Sequence, residues 1–116
     1  MSSSTAAPSL KKFVVWAPDS SEPDTFERRT AMRARHLEGA RELRKQGLIW
    51  TAGPMVAPDT VDAPLAEKKL IGSVLVCEAD NIETVKKAVY SDIYYLENIW
   101  DKEKLTIVPW LTVNLD

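Results

Sequence analysis

The feature that most constrains this chain is the order in which two hydrophobic periodicities follow one another. Lys12-Phe13-Val14-Val15-Trp16 is a β-branched and aromatic run closed by Ala17-Pro18-Asp19, the pattern of a strand that leaves into a turn. Beyond the polar stretch 19–24, Met32, His36, Ala40 and Leu43 recur at spacings of four, four and three. That stripe predicts a helix capped at Asp24 or Thr25 and running to about Gln46, where Gly47 offers a positive-φ stop. Arg28, Arg35, Glu42 and Lys45 fall mostly off the stripe.

Leu48-Ile49-Trp50-Thr51-Ala52 then reads as a second strand that Gly53-Pro54 breaks or bends, and the run from Ile71 to Glu78 as a third. Asn81 caps a second helix carrying Ile82, Val85, Ala88 and Val89 at helical spacing. A short irregular or helical segment, 91–100, leads to an alternating run, 105–113, in which Pro109 argues for an edge strand or a bulge. Strand, helix, strand, strand, helix, strand is two right-handed βαβ halves. They fold most simply as an α+β, ferredoxin-like βαββαβ domain, a four-stranded antiparallel sheet with both helices on one face. One sheet face then lacks cover, and in 116 residues a second subunit is the economical way to supply it.

The domain is expected over 11–116, behind a Ser- and Ala-rich tail, 1–10, expected to be flexible. The polar connection 57–70 carries Pro58, Asp59, Asp62 and Pro64, with no signal for a stable helix or a central strand. It either covers a site or links two strands. Fifteen basic residues nearly balance seventeen acidic ones, with no Lys/Arg run, so nucleic acid is not an expected partner. The single Cys77 excludes an intrachain disulfide and a Cys-rich zinc site, and its apolar setting predicts an inert core thiol. No stretch is apolar enough to span a bilayer, and the first ten residues lack the pattern of a secretory or transit signal. A cytoplasmic location and no membrane partner are expected. P-loop, dinucleotide-binding, HExxH and GxSxG patterns are absent, so neither a cofactor nor a metal is expected.

His36 is the only histidine and the first candidate for acid-base chemistry near neutral pH, with a buried structural role as the alternative. Asp92, just past the second helix, is the acidic residue the topology best places beside it, to orient its ring or simply to cap a turn. Arg33, three residues before His36, suits a carboxylate or phenolate, or else an ordinary surface ion pair. Gly53-Pro54 and Gly72-Ser73 flank the 57–70 connection, where glycine admits close approach and the Ser73 hydroxyl suits a ligand; turn chemistry accounts for them equally well. Tyr90, Tyr94, Tyr95, Trp100 and Trp110 give the last third an aromatic character fit for a flat ligand, a subunit contact or core packing.

Taken in order, Arg33-Ala34-Arg35-His36-Leu37, Thr51-Ala52-Gly53-Pro54, Gly72-Ser73, Ser91-Asp92-Ile93-Tyr94 and Val108-Pro109-Trp110 resemble the motifs of the YCII-related (YciI-like) family, from about Lys12 to Val113. Ile93 stands where the family motif usually has proline, and the stretch between Val56 and Leu70 is insertion-like. The resemblance implies a ferredoxin-like domain that dimerises through its sheet faces as a dimeric α/β barrel. It also implies an active-site pair matching His36 and Asp92. The expected activity is a cofactor-independent lyase or isomerase moving a proton on a small cyclic or aromatic metabolite. Arg33, Gly53, Pro54, Ser73 and Tyr94 would contact the substrate, with Arg33, Ser73 and Tyr94 holding its oxygens. The alternative is a non-catalytic small-molecule binding or accessory protein.

Overall fold

A computed structural model describes residues 10–116, so the expected flexible tail lies outside the described residues except for Leu10. Four strands, β1 (Lys11–Pro18), β2 (Ile49–Val56), β3 (Leu70–Ala79) and β4 (Thr106–Trp110), form one antiparallel sheet in the order β2-β3-β1-β4. Helices α1 (Thr25–Lys45) and α2 (Ile82–Tyr90) are accompanied by a one-turn helix, α3 (Ile93–Leu96), that follows α2 in the chain. The ferredoxin-like α+β order read from the sequence is the observed one.

Strand periodicity decides what is buried. Phe13, Val15 and Ala17 of β1 lie opposite Cys77, Leu75 and Ser73 of β3, and all six are buried on the helix-bearing face. Val85 and Val89 of α2, Tyr94 of α3 and the following Ile99 and Trp100 complete the core, with Met32, Ala40 and Leu43 of α1 packed at its margin. At the start of α2, Asn81 accepts the Thr84 backbone N–H at 3.0 Å, the cap expected of it. At the start of α1, Asp24 holds the cap position without a side-chain capping bond. That helix ends at Gly47, whose φ of +82° is the left-handed conformation that suits glycine.

The boundaries differ from expectation in two places. Strand β2 does not stop at Gly53-Pro54 but runs on to Val56, with Pro54 opposite Ser73. As an edge strand, β2 tolerates a residue without an N–H. Strand β4 is shorter than the alternating run 105–113, ending at Trp110, and Leu111 and Val113 continue as exposed chain. Pro109 sits in this second edge strand, as its chemistry requires. The connection 57–70 is ordered by two single 3-10 turns, Pro58–Thr60 and Leu65–Glu67, and is closed at its base by Ala57 N–H donating to the Lys69 carbonyl at 2.8 Å. No helix among the described residues is long and apolar enough to cross a membrane.

The opposite sheet face bears Val14 and Trp16 of β1 beside Val108 and Trp110 of β4, with Trp16 51% and Trp110 43% exposed. Among the described residues nothing covers it. On the covered face, burial pushes the Cys77 thiol up to about 11, so native protein will resist thiol-specific labelling at neutral pH. Denaturation should expose one reactive thiol per chain, and rapid labelling of the folded protein would contradict this placement of Cys77.

Candidate active site

Helix α1 crosses the sheet over β2 and β3, and its inward face carries Arg29, Arg33, His36 and Ala40, spaced by four, three and four residues. A cavity of about 150 Å³ lies between this face and the two strands, the size of one benzene-like ring. Arg33, His36, Gly53, Pro54, Ser73 and Tyr94, each expected at a site, all line it, with Leu37, Ala40 and Leu75 as apolar wall. Asp92 stands behind the His36 ring, away from the cavity.

The imidazole is held from two sides. Its Nδ1 lies 2.9 Å from Asp92 Oδ1 and 3.0 Å from Oδ2, and Asp92 side-chain exposure is only 8%. A carboxylate accepts and does not donate, so Nδ1 carries the proton and the Nε2 lone pair is left free, the tautomer a proton acceptor needs. Asp92 is also the N-cap of α3, its Oδ1 accepting the Tyr94 backbone N–H at 2.8 Å. The two roles that the sequence left open for it, orienting the histidine and capping a turn, are therefore both filled by one carboxylate. The Tyr94 ring stacks on His36 at 4.0 Å and 7°, and Trp100 meets the imidazole edge at 5.9 Å.

Tyr94 differs from expectation in which atom it offers. Its hydroxyl donates to the Arg29 backbone carbonyl at 3.1 Å, and burial pushes the phenol above its ordinary range, so it stays a neutral donor committed to the protein. Tyr94 meets the cavity as a ring. Arg33, in contrast, forms no hydrogen bond or ion pair with any described residue, which leaves its guanidinium available to the cavity.

Sequence reasoning missed Arg29, the residue under the site. It is only 4% exposed, donates from Nε to Asp19 Oδ2 at 2.9 Å and from Nη2 to the Gly72 carbonyl at 2.8 Å and to Ser73 Oγ at 2.9 Å, and lies over the Tyr94 ring. Its spacing was the available signal, four residues before Arg33 and seven before His36. Burial raises the Asp19 carboxyl above its ordinary range, while the Arg29 guanidinium pulls it back down. Gly72 is required beside this knot, because a Cβ there would stand 2.8 Å from the Ala17 carbonyl oxygen. Among the described residues no group of three or more His, Cys, Asp or Glu side chains converges on a metal position.

The profile of the YCII-related domain matches residues 12–111. Fusaric acid biosynthesis protein 2 of Gibberella fujikuroi is 29% identical over 104 residues, 90% of this chain and 96% of that one. Protein YciI of Escherichia coli is 29% identical over 101 residues, 87% of this chain and 97% of that one. Among solved structures, a 5-chloro-2-hydroxyhydroquinone dehydrochlorinase from Burkholderia phenoliruptrix, in complex with 2,5-dihydroxybenzoquinone, superposes with a TM-score of 0.73 at 20% identity. It covers 88% of this chain and 95% of that one, a likeness of fold.

The buried pair beneath the cavity yields a stability prediction. Arg29→Met strands an ionised Asp19 whose side chain is 7% exposed, and should cost about 3–5 kcal/mol in chemical denaturation at neutral pH. A carboxyl raised by burial is stabilising while protonated and loses that stability as pH rises through its shifted pKa, so the loss will be smaller in acid. Adding Asp19→Asn should restore part of it. Equal losses with and without Asp19→Asn would show that the two are not coupled.

Proposed function

The chain belongs to the YCII-related domain family, and on that premise we propose that it is a cofactor-independent lyase or isomerase that moves a proton on a small cyclic or aromatic metabolite. One observation carries the reading. The single histidine lines a ring-sized cavity with its Nε2 unpartnered among the described residues, while a buried carboxylate holds its other nitrogen. His36 takes the proton at Nε2, and Asp92 stabilises the imidazolium that forms. Arg33 and Ser73 hold substrate oxygens as negative charge develops there. The backbone of β2 at Gly53-Pro54 forms the opposite wall, and Tyr94 provides the surface on which the imidazole lies. The structural neighbour's dehydrochlorinase activity and its quinone ligand lend this reading a chemical precedent on the same fold.

The experiment is a screen of small hydroxylated and halogenated quinols and cyclic ketones for product formation, with no metal or nucleotide added. His36→Gln should lower kcat/KM by about 10²–10⁴-fold in a folded protein. Asp92→Asn tests the pair more sharply. With its oxygen kept by the Tyr94 N–H, the Asn amide offers Nδ1 one acceptor and one donor in place of two acceptors, and carries no charge to stabilise an imidazolium. Nitrogen-15 NMR of the one histidine should report a weakened hold on the Nδ1 proton together with loss of turnover. Saturable binding without product in the wild type would instead identify a binding or accessory protein.

The uncovered sheet face, with Trp16, Val108 and Trp110 exposed together, supports a homodimer in which a second copy packs on it. Light scattering should give twice the 13.0 kDa chain mass, and Trp16→Glu should return the monomer value. A wild-type monomer at micromolar concentration would remove this proposal.

A further inference from the structure

Ser73 Oγ receives two hydrogen bonds, one from Arg29 Nη2 at 2.9 Å and one from Trp100 Nε1 at 3.1 Å. A hydroxyl has two lone pairs and one proton, and both of these partners are groups that only donate. The acceptor capacity of Ser73 is therefore fully used. Its own proton has no acceptor among the described residues, and Ser73 lines the cavity while being only 4% exposed. Trp100, 1% exposed and fixed by the core around it, has no freedom to withdraw its N–H.

We propose that Trp100 fixes the polarity of Ser73, making its hydroxyl a donor that selects ligands presenting a deprotonated or carbonyl oxygen, a phenolate, enolate or quinone oxygen, at that end of the cavity. The proposal rests on the reading of the cavity as a site for a small cyclic ligand. A phenolate or carbonyl oxygen accepts from Ser73 and leaves no proton stranded, whereas a neutral hydroxyl there brings a proton that Ser73 cannot take. The Arg33 guanidinium, lining the same cavity from α1, favours the same charge, and among the described residues no carboxylate lines the cavity to oppose it. Trp100 acts here through Ser73 and is a positioning residue.

The two contributions separate experimentally. The probe is 4-nitrophenol, in buffer at the free phenol's own pKa, where absorbance distinguishes bound phenolate from bound phenol. The wild type should favour bound phenolate by about tenfold, the scale of a hydrogen bond to a charged oxygen. Trp100→Phe keeps a ring at that position but frees one Ser73 lone pair, so the hydroxyl can turn and accept. The preference should fall at least about threefold, with the remainder due to Arg33. A purely structural role for Trp100 would weaken both ionic forms equally and leave the preference unchanged, which overturns the proposal. Circular dichroism checks folding. If Trp100→Phe does not fold, Ser73→Ala decides, and an undiminished phenolate preference in it overturns the proposal as well. A wild type that binds both forms equally well also overturns it, with the cavity reading intact. Failure of the wild type to bind 4-nitrophenol in either form removes the cavity reading, and this proposal with it.

Discussion

The fold and the site both hang on one buried guanidinium. Arg29 leaves α1 and reaches Asp19 just past β1, the Gly72 carbonyl and Ser73 hydroxyl in β3, and the ring of Tyr94 in α3, while its own carbonyl receives the Tyr94 hydroxyl. A charge taken this far out of water is tolerable only because a carboxylate and several acceptors meet it together. Those partners come from elements separated by up to 65 residues, so the same contact that satisfies the charge sets the height of α1 above the sheet. The cavity is the space left between them. Arg33 and His36, one and two turns further along the helix, then face it without any polar partner of their own on that side.

Much of this was legible because the elements announce themselves locally. The alternation in Lys12–Trp16, the spacing of Val85 and Val89 and the Asn81 cap are short-range signals, and the observed elements follow them. His36 stood out as the one histidine, and Asp92 as the acidic group that the topology carries back to it. Less legible was whatever depends on a neighbour distant in sequence. Strand β2 continues through Gly53-Pro54 because β3 pairs with it on one side only, whereas Gly-Pro in a local window reads as a break. Tyr94 looked like a hydroxyl for substrate, yet its hydroxyl is spent on the carbonyl of Arg29. Arg29 shared the spacing of Arg33 and His36, but an arginine on a helix is ordinarily solvated, and only its tertiary partners make it a buried one.

The two sheet faces divide the labour. The covered face holds nearly all of the buried hydrophobic side chains together with the polar cluster, so the site is framed by the residues that fold the domain. The open face carries tryptophans that contribute little to the isolated chain. Substitutions on one face therefore act on the cavity and on stability together, while those on the other leave the cavity untouched.

Helix α3 spans four residues, too few to persist by its own backbone bonds. It exists because Asp92 caps it and Tyr94 is pinned beneath His36 and Arg29. When that turn frays, the carboxylate that orients the imidazole leaves with it, although the sheet and both long helices remain. The hold on the imidazole is thus a property of a small opening equilibrium in the native ensemble, and amide exchange at Tyr94 reports the fraction of molecules in which the carboxylate is in place.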